Sequence, residues 1–158
     1  MNGPGFPVPG PGRRCATRDP GRGTFFCFLP TWRESLMAAS VDIESAFRKL
    51  AASPFRRKFH LEGRELAYLQ TWGMRHVLKQ GRDLIDKRLA PAEPRNDGRQ
   101  TPWRNHPIFV AQHATATCCR GCLRKTHGIE KGHALTEEER AYVMLVIERW
   151  LQTQLDAR

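Results

Sequence analysis

Cysteine and histidine are concentrated in one short stretch of this sequence. Residues 106–127 hold three of the five cysteines and three of the six histidines. Thiolate sulfur and imidazole nitrogen are the ligand types of closed, tetrahedral zinc sites. Cys119 and Cys122 form a C-x-x-C pair, in which one tight turn presents two sulfurs to one ion, and Gly121 between them tolerates an unusual backbone angle. The spacing therefore predicts a structural zinc site with four ligands: His113, Cys119, Cys122 and His127.

Cys118 leaves an alternative open. Adjacent residues point apart on a strand and about a quarter turn apart on a helix, so we do not expect Cys118 and Cys119 to bind the same ion. If the segment is helical, Cys118 and Cys122 become a rival pair at i, i+4. An iron–sulfur centre with a histidine ligand is a variant of the same hypothesis. Three inert thiols that pack as small hydrophobes are the non-functional alternative.

Length and charge restrict the class of protein. A chain of 158 residues is long enough for one domain with its own core. Its net charge of +10 would attract nucleic acid, an anionic membrane surface or an acidic protein. No apolar run approaches the ~20 residues of a membrane span, so we expect no membrane insertion. An odd number of clustered cysteines is untypical of a secreted disulfide framework, and it predicts a reducing, cytoplasmic location.

Residues 1–36 differ in composition from the rest of the chain. They contain six of the 11 prolines, six of the 13 glycines and five scattered arginines. Such a segment buries too little apolar surface to offset its chain entropy. We therefore expect 1–36 to be a disordered leader, or an over-extended reading frame whose true start is Met37. The predicted domain, residues 37–158, remains basic without it.

The rest of the sequence predicts a mainly α-helical fold. Helical periodicity is clearest over 64–89, where Gly81 allows a break, and Thr136 with Glu139 forms a capping box before a last helix that reaches about residue 155. A shorter helix should follow Ser40 or Asp42. Residues 90–105 read as a long loop, and 107–117 fit helix or strand equally well. We expect one small helical domain with a Cys/His loop.

One basic segment lies between two aromatic residues. Phe55 and Phe59 are four residues apart with Arg56, Arg57 and Lys58 between them. Cations flanked by rings are typical of surfaces that contact nucleic-acid phosphates and bases. A short amphipathic turn with a solvated basic face is the simpler interpretation, and the sequence favours it.

Four motifs resemble those of a known family of domains. They are Ser53-Pro54-Phe55-Arg56, Arg88-Leu89-Ala90-Pro91-Ala92, Asn96 to Pro102, and the stretch from His106-Pro107 through His127. On these motifs the chain resembles DUF 4186, a mostly bacterial family of domains of unknown function. The resemblance covers roughly 43–155 and implies a domain that begins after Met37. Thr126 departs from the family pattern, in which we expect tryptophan before the histidine.

Three functions are compatible with these residues. The first is a zinc-stabilised basic module that binds nucleic acid, with Arg120, Arg124 and Lys125 beside the ligands facing phosphates. The second is a metal-dependent hydrolase of phosphodiesters, in which an open coordination position holds water and the general base is Asp97, His106 or Glu130. The third is a thiol oxidoreductase that uses the C-x-x-C pair, although the usual βαβ setting is missing. The sequence favours the first.

Overall fold

The computed structural model describes residues 43–157 of the chain. The leader of residues 1–36 and the proposed start at Met37 lie outside these residues. Five helices run in the order α1 (43–51), α2 (Gly63–Arg88), α3 (Pro107–Ala114), α4 (Arg120–Cys122) and α5 (Glu137–Asp156). A 3-10 turn covers Arg56–Lys58, and a π-helical turn covers Leu123–His127 directly after α4. Residues 43–157 contain no β-strand, which confirms the predicted helical fold.

Helix α3 lies at the centre of the domain. All eight of its residues are buried, which suits a helix that is apolar around most of its circumference. It packs between α2 and α5, against the buried side chains of Val77, Ile85, Val143 and Ile147. Gly81 permits this packing, because a Cβ atom there would lie 2.7 Å from Ile108 Cδ1. The helix thus resolves the segment that the sequence left undecided.

Helix α2 breaks at a different glycine from the expected one. The chain stays helical through Gly81, and the non-helical residue is Gly73, with φ 76° and ψ 159°. Those angles are essentially restricted to glycine. Gly81 is held by its neighbours in the core, whereas a Cβ at Gly73 would contact nothing, so the backbone there is free to turn. The turn follows Trp72, which is exposed.

Capping residues fix the ends of the helices that flank the cysteines. The capping box of α5 is present, since Thr136 Oγ1 accepts from Glu139 N at 3.2 Å and Glu139 Oε2 accepts from Thr136 N at 2.9 Å. His106 caps α3 through Nδ1, which accepts from Ile108 N. The loop before α3 contains a turn that begins at Asn96 (φ 59°), whose carbonyl oxygen accepts a hydrogen bond from Arg99 N at 2.8 Å.

Candidate metal centre

Three cysteine sulfurs come together at the start of α4. Cys119 is extended (φ −159°, ψ 164°) and caps the helix, with its sulfur accepting from Cys122 N at 3.4 Å. The Sγ atoms of Cys118 and Cys122 are 3.7 Å apart, and all three sulfurs lie within 4.8 Å of one another. The sulfurs of a tetrahedral zinc site are separated by about 3.8 Å, given Zn–S bonds of ~2.3 Å. These positions fit a metal ion bound by three thiolates.

The expectation that Cys118 and Cys119 point apart is wrong, since their sulfurs lie within 4.8 Å of each other. It assumed that one regular helix or strand runs through both residues. The backbone instead changes from the extended conformation at Cys119 to helix at Arg120, and this change turns the adjacent sulfurs toward the same point.

An arginine from a distant turn contacts the cysteines. Arg56 Nη2 lies 3.3 Å from Cys122 Sγ, and its Nη1 donates to the carbonyl of His113. Hydrogen bonds from the Cys118 and Cys119 thiols, and then from Arg56, lower the pKa of Cys122. The same network, through Cys119 first and then Cys122, raises the pKa of Cys118. A cation at this position offsets the negative charge that three thiolates bring to one divalent ion.

His113 keeps one ring nitrogen available for a ligand, although it is not among the residues whose ligand atoms lie within 4.8 Å of one another. Its Nε2 lies 3.3 Å from the carbonyl oxygen of Thr101 and 3.2 Å from that of Pro102. Carbonyl oxygens only accept, so Nε2 carries the proton, and burial lowers the pKa of the ring, which leaves Nδ1 with a lone pair. Ligating histidines usually donate their second N–H in this manner. The ring stacks on Trp103, with centroids 4.3 Å apart.

His127 has a different set of contacts. Its Nε2 is 2.8 Å from the carbonyl of Thr115, and its Nδ1 is 3.0 Å from the hydroxyl of Tyr142 on α5. Both ring nitrogens thus bridge the π-helical turn to other elements. The structure brings Cys119 and Cys122 of the predicted ligand set together and adds Cys118 to them. That His113 and His127 ligate the ion stays a prediction.

Arg120 lies inside the domain, although the sequence placed it on a phosphate-binding surface. The side chain is 1% exposed, and Nη2 donates to the carbonyls of Glu130 and His133 at 2.8 Å each. A buried guanidinium does not reach phosphates in solvent, so the predicted role does not fit this placement. Arg124 and Lys125 are exposed, as that role requires.

The three candidate general bases lie in separate settings. Asp97 accepts from Arg120 N at 2.9 Å and pairs with Lys131 at 3.1 Å. Glu130 is exposed, and its backbone carbonyl holds Arg120. His106 lies at the opposite end of α3 from His113. Among the described residues, none of the three contributes an atom to the group around the sulfurs.

His106 should make the stability of the domain depend on pH. Burial, and then the charge of His76, lower its pKa in the folded state, so the neutral ring is favoured there. The unfolded chain binds a proton more readily, and the free energy of unfolding should fall as pH drops below about 6.5. Protonation would also block the Nδ1 atom that caps α3.

The substitution His106→Asn keeps a capping acceptor and removes the titration. We expect the free energy of unfolding in urea to fall less for this variant than for wild type between about pH 7.5 and 5.5. His60→Asn changes an exposed histidine and is the matched control, which should keep the wild-type dependence. Identical pH dependence in wild type and His106→Asn would contradict the assignment.

A cationic cavity of about 490 Å³ adjoins the cysteines through Arg56. Its charged lining residues are Lys49, Arg56 and Lys125, and no carboxylate from the described part of the chain lines it. Phe55, which is 47% exposed, forms part of the wall. The cavity combines positive charge with an aromatic edge beside the candidate metal centre.

Comparison with known families agrees with the sequence motifs. The sequence profile described as Domain of unknown function (DUF4186) matches residues 44–152 of the chain. The chain belongs to the DUF4186 family. The matched range includes all three clustered cysteines, Arg56 and His113, so the candidate centre lies wholly within the family domain. No solved structure matches the chain. None of the described helices combines the length and hydropathy needed to cross a bilayer.

Proposed function

We propose that this DUF4186 domain is a zinc-stabilised helical module that binds nucleic acid. The observation that carries the proposal is the convergence of three sulfurs within 4.8 Å at Cys118, Cys119 and Cys122. Thiolate is a soft ligand that favours zinc over magnesium or calcium. His113 Nδ1 is our candidate for the fourth position, because its Nε2–H is already held by backbone carbonyls.

A structural role for the ion follows from what surrounds it. The cysteines lie in a connection without long helices, between α3 and the π-helical turn. Thr101 donates to the carbonyl of Cys118 at 2.8 Å, so the ion would also secure the long loop before α3. Among the described residues only the three cysteines form the sulfur group, so no ready general base joins it, and His113 would approach the ion as it binds. We therefore assign the zinc ion a structural role, in which it stabilises the cysteine connection and the loop before α3.

The nucleic-acid part of the proposal rests on charge. The chain carries +10, and the cavity of Lys49, Arg56 and Lys125 gathers three cations beside the centre. Arg124 is exposed next to Lys125. Closely spaced cations without carboxylates between them attract phosphates and release the counterions condensed on nucleic acid.

Salt dependence tests this part. We expect affinity for nucleic acid to fall steeply as salt rises, and Lys49→Ala, Arg124→Ala or Lys125→Ala each to weaken binding and reduce the log–log slope by about one. Arg82→Ala is the matched control, since Arg82 is exposed and pairs with Glu137 on α5. It should leave affinity nearly unchanged. Zinc content should stay at the wild-type level in all four variants.

The absence of binding to single- and double-stranded DNA and RNA at low salt would contradict nucleic-acid binding and leave the metal site standing. Binding that all four variants weaken equally would show a diffuse charge effect, which also contradicts the assigned surface.

A further inference from the structure

Three of the four large apolar side chains exposed within residues 43–157 are aromatic. They are Phe55 (47% exposed), Trp72 (57%) and Trp103 (60%), and the fourth is Leu145. Burying an aromatic side chain is strongly favourable, so rings left in solvent are informative when they lie near one another. Phe55 and Trp103 are in contact, with centroids 6.2 Å apart and the rings edge to face.

Neighbouring rings hold both tryptophans in place. Trp103 stacks on His113 at 4.3 Å and 8°, and on Phe59 at 6.0 Å and 8°. Trp72 stacks on His76 at 5.0 Å and 25°. A ring supported on one side keeps its orientation while much of its surface stays in solvent. Little rotamer entropy is then lost when a flat ligand stacks on it.

Arg104 connects the two tryptophans along the surface. It lines a cavity of about 720 Å³ together with Trp72, and a second cavity of about 170 Å³ together with Trp103. Phe55 continues the row into the cationic cavity described above. We call the surface formed by Phe55, Trp103, Arg104 and Trp72 the aromatic strip.

Cations predominate along the aromatic strip. Lys58 and Arg64 are exposed and line its cavities, in addition to Arg104. Two carboxylates are present: Glu62 lines both cavities, and Glu65 lines the larger one and accepts from Asn105 N at 3.0 Å. This hydrogen bond lowers the pKa of Glu65, with smaller contributions from Arg104 and Arg64, whose charges offset its own. The strip therefore presents aromatic faces among positive charges.

We propose that the aromatic strip binds single-stranded nucleic acid, with bases stacked on Phe55, Trp103 and Trp72 and phosphates on the neighbouring cations. The inference rests on the proposed nucleic-acid function and specifies the form that is bound. Each base has a π-face for stacking, and these faces are covered by neighbouring base pairs in a duplex. Rings at separate points along a row suit successive unpaired bases.

The test compares strands of equal charge that differ in their bases. The full chain is titrated with a thymidine oligonucleotide of about a dozen nucleotides, within the site sizes known for such surfaces, with an abasic strand of the same length, and with a hairpin duplex. Wild type should bind the thymidine strand most tightly. Trp72→Ala and Phe55→Ala should each weaken that binding about fivefold or more, the lower bound for one base stacked on an aromatic side chain.

The same two variants should bind the abasic strand as wild type does, because its phosphates meet unchanged cations. Leu145→Ala removes an exposed apolar side chain without a ring, and it should alter neither affinity. Trp103→Ala is measured with its zinc content, since Trp103 also supports His113.

Equal affinity of wild type for the abasic and thymidine strands would overturn the stacking proposal and leave phosphate binding intact. Tighter binding to the duplex would overturn it as well. No binding to any of the three would overturn both this inference and the nucleic-acid function on which it rests.

Discussion

Serine at any one of Cys118, Cys119 and Cys122 is expected to release the metal ion and to unfold a large part of the domain. The three sulfurs form one group, so each substitution leaves two. A structural zinc ion contributes ~10–16 kcal/mol to the folding of small zinc peptides, which equals or exceeds the whole stability of an ordinary domain. The hydrophobic core around α3 should retain helical content. Elemental analysis and thermal unfolding measure the two effects.

Cys27→Ser is the matched control, because it removes a cysteine outside the described residues and should leave metal content unchanged. Cys118→Ser discriminates best between the two ligand sets. If this variant keeps its metal while Cys119→Ser and Cys122→Ser lose theirs, the ligands are His113, Cys119, Cys122 and His127, as the sequence alone predicts.

Arg120→Ala is expected to lower the free energy of unfolding by about 3–5 kcal/mol. The substitution removes two charge-assisted hydrogen bonds, each worth ~1.5–3 kcal/mol, from Arg120 to the carbonyls of Glu130 and His133. Those carbonyls belong to the connection between the π-helical turn and α5. Urea unfolding of the metal-loaded protein gives the change in stability.

Two further variants separate the contributions at this position. Arg120→Met keeps most of the side-chain volume and loses the guanidinium, so it isolates the hydrogen bonds, and it should still cost about 1–3 kcal/mol. Arg124→Ala changes an exposed arginine on the same turn and should stay within about 0.5 kcal/mol of wild type. Arg120 Nε and Nη1 have no protein partner among the described residues. If Arg120→Met has the same free energy of unfolding as wild type, the gain from removing the two unpaired donors offsets the loss of the two hydrogen bonds.

Local signals in the sequence were sufficient for the two long helices, α2 and α5, but not for α3. The apolar stripe of α2 and the capping box of α5 are properties of neighbouring residues, and both are present in the structure. The break in α2 was misplaced because helix propensity treats Gly73 and Gly81 alike. The two glycines differ in their tertiary surroundings: a Cβ at Gly81 would lie 2.7 Å from Ile108 Cδ1, 27 positions away, whereas a Cβ at Gly73 would contact nothing.

The sequence predicted a cysteine-containing metal site, but it did not predict the arrangement of the three sulfurs. The spacing of the cysteines located the sulfurs. A pattern based on regular helix or strand left Cys118 out of the predicted ligand set, because it does not anticipate the change from extended to helical backbone at Cys119. Arg56 was missed as a partner of Cys122 because 66 positions separate them. The motif Ser53-Pro54-Phe55-Arg56 was the only sequence signal that pointed to it.

The expectation that Arg120 faces phosphates does not fit its burial. An arginine between two cysteines resembles its exposed neighbours Arg124 and Lys125 in every local respect. The acceptors that draw it inward belong to residues ten and 13 positions later, in a connection without a recognisable pattern. The aromatic strip could not be predicted from the sequence either, because Trp72 and Trp103 become neighbours of Arg104 only in the folded domain.

The metal content of the wild-type protein tests the central claim most directly. The full chain is purified with no added metal, analysed for its elements, and titrated with a thiol reagent before and after chelation. We expect one zinc ion per chain, with the three thiols at 118, 119 and 122 protected at first and released by the chelator. A metal-free protein in which chelation releases no further thiol would contradict the account, either because the thiols at 118, 119 and 122 react at once or because a disulfide joins Cys118 to Cys122.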